Sequence, residues 1–177
     1  MSGIEFDKGS VYDVEQGKVL SQVEVGCKEN EITKTPKALK MEITEKVVTG
    51  DAIHTQRDLS SQILAGLGNC VFPVKENQPH LYRNIQSLFA PEYPKPGFGK
   101  IATDFQTAKI INKGRGHVET RIITTSEMLN LHTTWPGLAQ VYRLEWQFEW
   151  QRNGRCIRTS FQVEYSVSSL TREEVSS

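Results

Sequence analysis

Residues Val47-Val48-Thr49-Gly50-Asp51-Ala52-Ile53-His54-Thr55-Gln56 put a single carboxylate directly after a short apolar, β-branched run. Such a run, bounded by Gly50, reads as a buried strand, so Asp51 falls at its C-terminal end, where open α/β sheets carry their sites. That is a good address for a metal ligand. The plainer alternative is that Asp51 starts a turn or caps the next helix. His54 reads either as a group supporting that carboxylate or touching a phosphate, or as a structural histidine in a strand-to-helix turn. Lys75 and Gln78 follow a second apolar run and could touch a phosphate backbone, although helix starts are commonly rich in such residues. Lys113, Arg115, His117 and Arg121 gather around one glycine-rich turn, as either a grip on phosphates or a solvated hairpin tip. There is no Ser-His-Asp pattern, glycine-rich phosphate loop or zinc-type spacing.

The elements that position these residues must come from one ordinary domain. The chain has 177 residues, 37% hydrophobic and 24% charged, which is enough for a real core. Lys+Arg and Asp+Glu are 21 each, so any surface for a polyanion must be local. Cys27, Cys70 and Cys156 are far apart and fit neither a disulfide framework nor a zinc site, which suits a reducing cytoplasm. No apolar run approaches the roughly 20 residues that span a bilayer, and the N-terminus lacks a basic-then-apolar signal pattern. The expectation is a soluble protein that is not exported.

Residues 1–10 show no clear period and read as a ragged start. A hairpin follows from Val11, turning at Glu15 to Lys18 into Val19 to Val25. Asn30 caps a short helix over Glu31 to Leu39, with Pro36 making its length uncertain. Thr55-Gln56-Arg57-Asp58 has the form of a capping box, and Leu59, Ile63, Leu64 and Leu67 make one apolar stripe ended by Gly66 and Gly68. Cys70 to Val74 is a second short strand, with Pro73 near an edge or strand end. Asn77 caps a second helix that accepts Pro79 in its first turn and buries Leu81, Ile85, Leu88 and Phe89. The span from Val47 to Phe89 is thus β-α-β-α, with two parallel strands and a right-handed crossover.

Proline and glycine from Pro91 to Gly99 mark a change of architecture. Thr107 to Thr125 reads as a hairpin around Lys113-Gly114-Arg115-Gly116, and a short helical piece over Ser126 to Leu131 precedes the turn at Trp135-Pro136-Gly137. Val141 to Val167 is a hairpin around Asn153-Gly154. Its two-residue loop predicts Arg152 opposite Arg155, Trp150 opposite Ile157, Trp146 opposite Phe161, Glu149 opposite Arg158 and Arg143 opposite Glu164. Its aromatic face should pack on other strands or on the α/β part.

Together these stretches resemble the H-repeat-associated (ISAs-type) insertion-sequence transposases of the DDE superfamily. The resemblance runs through Gly17 to Gln22, Lys28 to Ile32, Val48 to Ala52 with Thr55-Gln56, Val74 to Pro79, Lys113 to Arg121, Trp135 to Val141 and Tyr165 to Leu170, in the family's order. It implies an α/β fold, a partial ribonuclease-H-like core over residues 11–90 with a β-rich hairpin insertion over 91–177. It also implies two Mg²⁺ or Mn²⁺ ions held by three carboxylates, which this chain alone is not expected to hold stably, with DNA and further copies of the chain as partners. Asp51 matches the second carboxylate. The first belongs to an Asp-Gly-Lys segment farther upstream, and Asp7-Lys8-Gly9-Ser10 lies too close to Gly17 to leave room for an intervening strand. The third resembles a Glu in a helix after the Ser-Ser-Leu segment, beyond Ser177. Glu119 is expected to serve the insertion rather than the metal. The expected protein is a transposase fragment with one metal ligand, Asp51, and DNA contacts at Lys75, Gln78, Lys113, Arg115, His117 and Arg121. The alternative is a non-catalytic remnant that binds DNA or an intact transposase.

Overall fold

The computed structural model describes residues 3–7, 10–13, 18–22, 43–90, 104–114, 116–152 and 155–176. The expected helix over Glu31 to Leu39, Arg115 and the Asn153-Gly154 turn lie outside the described residues. The strands are β1 (Gly3–Asp7), β2 (Ser10–Asp13), β3 (Lys18–Gln22), β4 (Val47–Gly50), β5 (Asn69–Val74), β6 (Gln106–Gly114), β7 (His117–Ser126), β8 (Gln140–Arg152) and β9 (Arg155–Ser168). The helices are α1 (Arg57–Ala65), α2 (Pro79–Leu88) and the short α3 (Arg172–Ser176). A 3-10 turn, Ala52–His54, stands between β4 and α1.

All nine strands form one mixed sheet in the order β3-β2-β1-β4-β5-β9-β8-β7-β6. The pairs β1–β2 and β2–β3 are antiparallel, β1–β4 and β4–β5 are parallel, and every pair from β5 to β6 is antiparallel. The β-α-β-α expectation for Val47 to Phe89 therefore stands. The ragged start does not: Gly3–Asp7 is a strand because its short Ile4-Glu5-Phe6 run finds partners on both sides, β2 and β4. Only two residues separate the paired Asp7 and Ser10, so β2 fits between Asp7 and Gly17 after all.

The core lies under this α/β half. Ile4, Val48, Phe72, Ile63 and Ile85 are fully enclosed, and Val141 and Val167 carry the core across to β8 and β9. Burying a side chain of this size stabilises by about 1.5–3 kcal/mol each. Leu59 and Ile63 fill the inward stripe of α1, but Leu67 is exposed, since the helix ends at Gly66 and Leu67 takes a φ of 59° past it. Gly137, with φ 60°, touches α1 closely enough that a Cβ would come within 2.4 Å of Leu64. Pro73 lies in an interior strand, yet beyond the last rung with β4, Thr49 with Val71. A missing N–H costs no ladder bond to β4 there.

Two caps differ from expectation. α1 begins after Gln56 with no side-chain cap, and Thr55 instead donates its hydroxyl to the Pro73 carbonyl. α2 begins after Gln78, while Asn77 reaches back to the Ala52 carbonyl. In both places the side chain ties two loops together, a use that a linear motif does not encode. Ser126 to Leu131 forms the end of β7 and turns rather than a helical piece.

Beyond the core, β6 to β9 continue as a four-stranded antiparallel ribbon. Arg152 faces Arg155 as predicted, but the register shifts between Trp150 and Gln151. Gln151 pairs with Cys156 and Trp150 with Arg158, leaving Ile157 as the extra residue. Trp146 then faces Gln162, Glu149 faces Thr159 and Arg143 faces Tyr165, so the predicted pairs with Phe161, Arg158 and Glu164 do not form. A bulge of this kind turns every later side chain to the opposite face. Phe148 and Trp150 stack on each other at 6.1 Å, and both remain half-buried rather than covered by a second layer. No helix among the described residues is long and apolar enough to cross a membrane.

Candidate functional site

Asp51 occupies the predicted position, one residue beyond β4, and it performs the plainer role as well. Its Oδ1 accepts from the Ile53 N–H at 3.0 Å and from His54 Nδ1 at 3.0 Å, which makes it the cap of the 3-10 turn. Both bonds fall on one oxygen, and the side chain is 74% exposed, so the carboxylate remains open to an ion or water. His54 is the buried partner, 2% exposed, and its ring lies against Gly50. A Cβ on Gly50 would come within 3.2 Å of Nδ1, so glycine is what lets the strand pass over the imidazole. Strand, glycine, acid and histidine are one unit: the glycine admits the ring, and the ring orients the acid.

Loops after β4 and β5 are laced together around this unit. Thr55 and Asn77 make the two bonds already described, and Gln78 Nε2 donates to the Thr55 carbonyl at 2.9 Å. Gln78 therefore has a scaffold role, because its amide is already engaged. Lys75 is exposed and borders a depression of about 330 Å³ lined by Ala52, Ile53, Gln56, Lys75, Glu76 and Asn77. Lys75 and Asp51 thus share the C-terminal edge of the parallel strands, as their positions in sequence predicted.

Asp7, set aside on its short spacing to Gly17, lies at this edge as well. β1 runs parallel to β4 with Phe6 opposite Gly50, so Asp7 and Asp51 are the next residues on adjacent strands. Neighbouring strands lie about 4.8 Å apart, which brings the two backbone positions together at one sheet edge. The available signal was the Asp after Ile4-Glu5-Phe6, followed by a glycine two residues on. Among the described residues, no group of three or more His, Cys, Asp or Glu is arranged to hold a metal ion.

Of the remaining predicted contacts, Lys113, His117 and Arg121 lie on the β6–β7 hairpin, and Arg115 lies outside the described residues. Lys113 pairs with Val118 near the tip of the β6–β7 hairpin, and His117 pairs with Gly114. Arg121 sits three residues beyond Val118, on the opposite face from Lys113, and is bound to Glu119 at 2.6 Å. Glu119 thus belongs to the ribbon, as expected. Cys70 is buried and Cys156 exposed, and both are free. Burial pushes the Cys70 thiol up, against hydrogen bonds from Ser169 and Ser60.

Comparison with known proteins gives these positions a context. "Putative transposase YncI" of Escherichia coli O157:H7 is 29% identical over 148 residues, 77% of this chain and 37% of that protein. Its namesake in Escherichia coli (strain K12) is 31% identical over 136 residues, 70% of this chain and 53% of the relative. No family model matches the chain. The chain is a homologue of proteins named as transposases. More narrowly, its relatives include the "H repeat-associated putative transposase YhhI" of strain K12, 26% identical over 135 residues, 75% of this chain and 35% of that protein. In each case the chain spans about half or less of the relative's length.

Proposed function

We propose that this chain is the core segment of a DDE-type DNA transposase, built on a ribonuclease-H-like sheet and acting on DNA in the cytoplasm. The order β3-β2-β1-β4-β5, antiparallel among the first three strands and parallel from β1 to β5, supports the fold reading. The observation that carries the functional reading is the Phe6–Gly50 rung, which brings Asp7 and Asp51 to adjacent strand ends. This revises the expectation of a single acidic ligand: the segment has two candidates, at neighbouring register positions.

Two acidic residues at neighbouring register positions are what part of a site for Mg²⁺ or Mn²⁺ would need, and the open Asp51 side chain suits a hard cation. Metal ions there would activate a water or a 3′-hydroxyl and stabilise the leaving oxygen of a phosphodiester. The chain's own residues have defined tasks. His54 and the Ile53 N–H hold Asp51 Oδ1 in a fixed orientation. Lys75 supplies a cation on the depression that Ala52 and Ile53, the residues after Asp51, also line. The Thr55, Asn77 and Gln78 bonds keep the two loops from separating under a charged ligand.

The test is Mn²⁺ binding to the purified chain, read by electron paramagnetic resonance. Asp51→Asn and Asp7→Asn should each weaken binding at least tenfold, while the protein stays folded by circular dichroism. Unchanged affinity in Asp51→Asn would overturn the reading.

A further inference from the structure

The β8–β9 hairpin ends in a cluster of arginines at the far end of the ribbon, and the β6–β7 hairpin beside it adds Lys113. The Gln151 N–H donates to the Gly116 carbonyl at 2.8 Å, joining one tip to the other. From the rung Lys113–Val118–Glu149–Thr159 outward, the described residues include Lys113, Arg152, Arg155 and Arg158, all exposed, against the single carboxylate of Glu149. Arg152 and Arg155 stand directly opposite each other. Like charges in that relation destabilise a strand pair, and an anion between them would relieve the cost. Arg158 lies over the Trp150 ring, 4.9 Å from its centre. A guanidinium stacked in this way has its face fixed and its edge donors free for a phosphate.

The direction and length of the ribbon indicate which anion. β9 is antiparallel to β5, with Val74 opposite Tyr165 at the end of their pairing. Running back from Tyr165 to Arg155, β9 therefore continues past the C-terminal end of β5, on the same side as Asp51. The ten residue steps from Tyr165 to Arg155, one of them taken up by the bulge, span roughly 30–34 Å at about 3.4 Å per residue. One turn of B-DNA rises about 34–36 Å.

We propose that the joined tips grip the phosphates of duplex DNA about one helical turn from the backbone position facing Asp51, with Arg152, Arg155 and Arg158 as the contacts. This rests on the reading of the Asp51 edge as the site of DNA chemistry, and it adds a second, remote anchor.

The test measures binding of the full chain to a duplex of about 20 base pairs against salt, with a duplex of about 8 base pairs as the short probe. Replacing Arg152, Arg155 and Arg158 with Ala should reduce the slope of log K against log salt by about 2.7, three phosphates at about 0.9 each. Replacing the same three with Lys should restore most of it. Shortening the duplex should flatten the wild-type slope and leave that of the Ala variant unchanged. An Ala variant with the wild-type slope, a Lys variant as flat as the Ala variant, or a wild-type chain that ignores duplex DNA at low salt overturns the proposal. Mn²⁺ binding at Asp51 is measured without DNA, so it reports separately on the metal reading.

Discussion

Replacing Gly50 with alanine tests whether glycine, histidine and acid behave as one mechanical unit. The new Cβ would sit 3.2 Å from His54 Nδ1 and 3.3 Å from its Cβ and Cγ. His54 has little room to retreat, being 2% exposed and bonded to Asp51 at 3.0 Å. Overpacking of this kind costs about 1–3 kcal/mol. Against it stands the gain of about 0.5–1 kcal/mol from removing a glycine inside a strand. The balance is a net destabilisation of up to about 2.5 kcal/mol. In a His54→Ala background the obstacle is gone and only the gain remains, so the same substitution should become neutral or stabilising by up to about 1 kcal/mol. The coupling between the two sites should thus reach about 1–3 kcal/mol, well outside the additive range for independent positions. Urea unfolding of the four proteins gives each difference from the shift in midpoint, provided the slopes agree. Additive effects would refute the packing argument, and so would a Gly50→Ala protein more stable than the wild type.

Thr55→Val, which keeps the shape and removes the hydroxyl from the Pro73 carbonyl, should cost about 1–3 kcal/mol by leaving a part-buried acceptor unpaired, read again by urea unfolding. Asp104 gives a pH prediction: burial opposes its charge, but Ser126, the Glu127 N–H and Arg172 together hold the carboxyl below its ordinary value of 3.8. A folded value below the unfolded one means that the stabilisation is present above about pH 4 and fades as pH falls further, so Asp104→Asn should flatten the stability profile only in that acidic range. The purified chain should neither nick nor join supercoiled plasmid with Mg²⁺ or Mn²⁺, because two carboxylates do not fix two ions about 3.5–4 Å apart. Metal-dependent nicking abolished by Asp51→Asn would refute this.

What was legible in the sequence was what local physics decides. β4, α1, β5 and α2 each bury a continuous run or stripe, so Val48, Ile63, Phe72 and Ile85 declared themselves by spacing, and Asp51 declared its place by following Gly50. β1 was illegible because Ile4-Glu5-Phe6 is too short to signal a strand, and its pairing depends on β4, more than forty residues away. Asp7 was set aside for its closeness to Gly17, because the tight Asp7–Ser10 pairing that fits β2 into that interval is not visible in a linear spacing. Thr55 and Asn77 looked like helix caps because the competing acceptors, Pro73 and Ala52, come close only in the folded chain. The cationic tip was seen in part, since Lys113 and the arginines after Trp150 belong to different hairpins and come together only when β7 pairs with β8.

The extra residue at Ile157 separates two demands on β9 that would otherwise conflict. Toward Ser168, the strand must present Val167 to Phe72 and Val141, and this fixes which residues face which side. Toward Arg155, the turn fixes the opposing pair by its own loop length. A regular ladder would transmit the choice made at one end to the other. The bulge acts as a phase joint, so the tip can be remodelled against a partner while the core keeps its alignment. Lengthening or shortening the chain at the tip by one residue should therefore be absorbed locally, without turning Val167 out of the core.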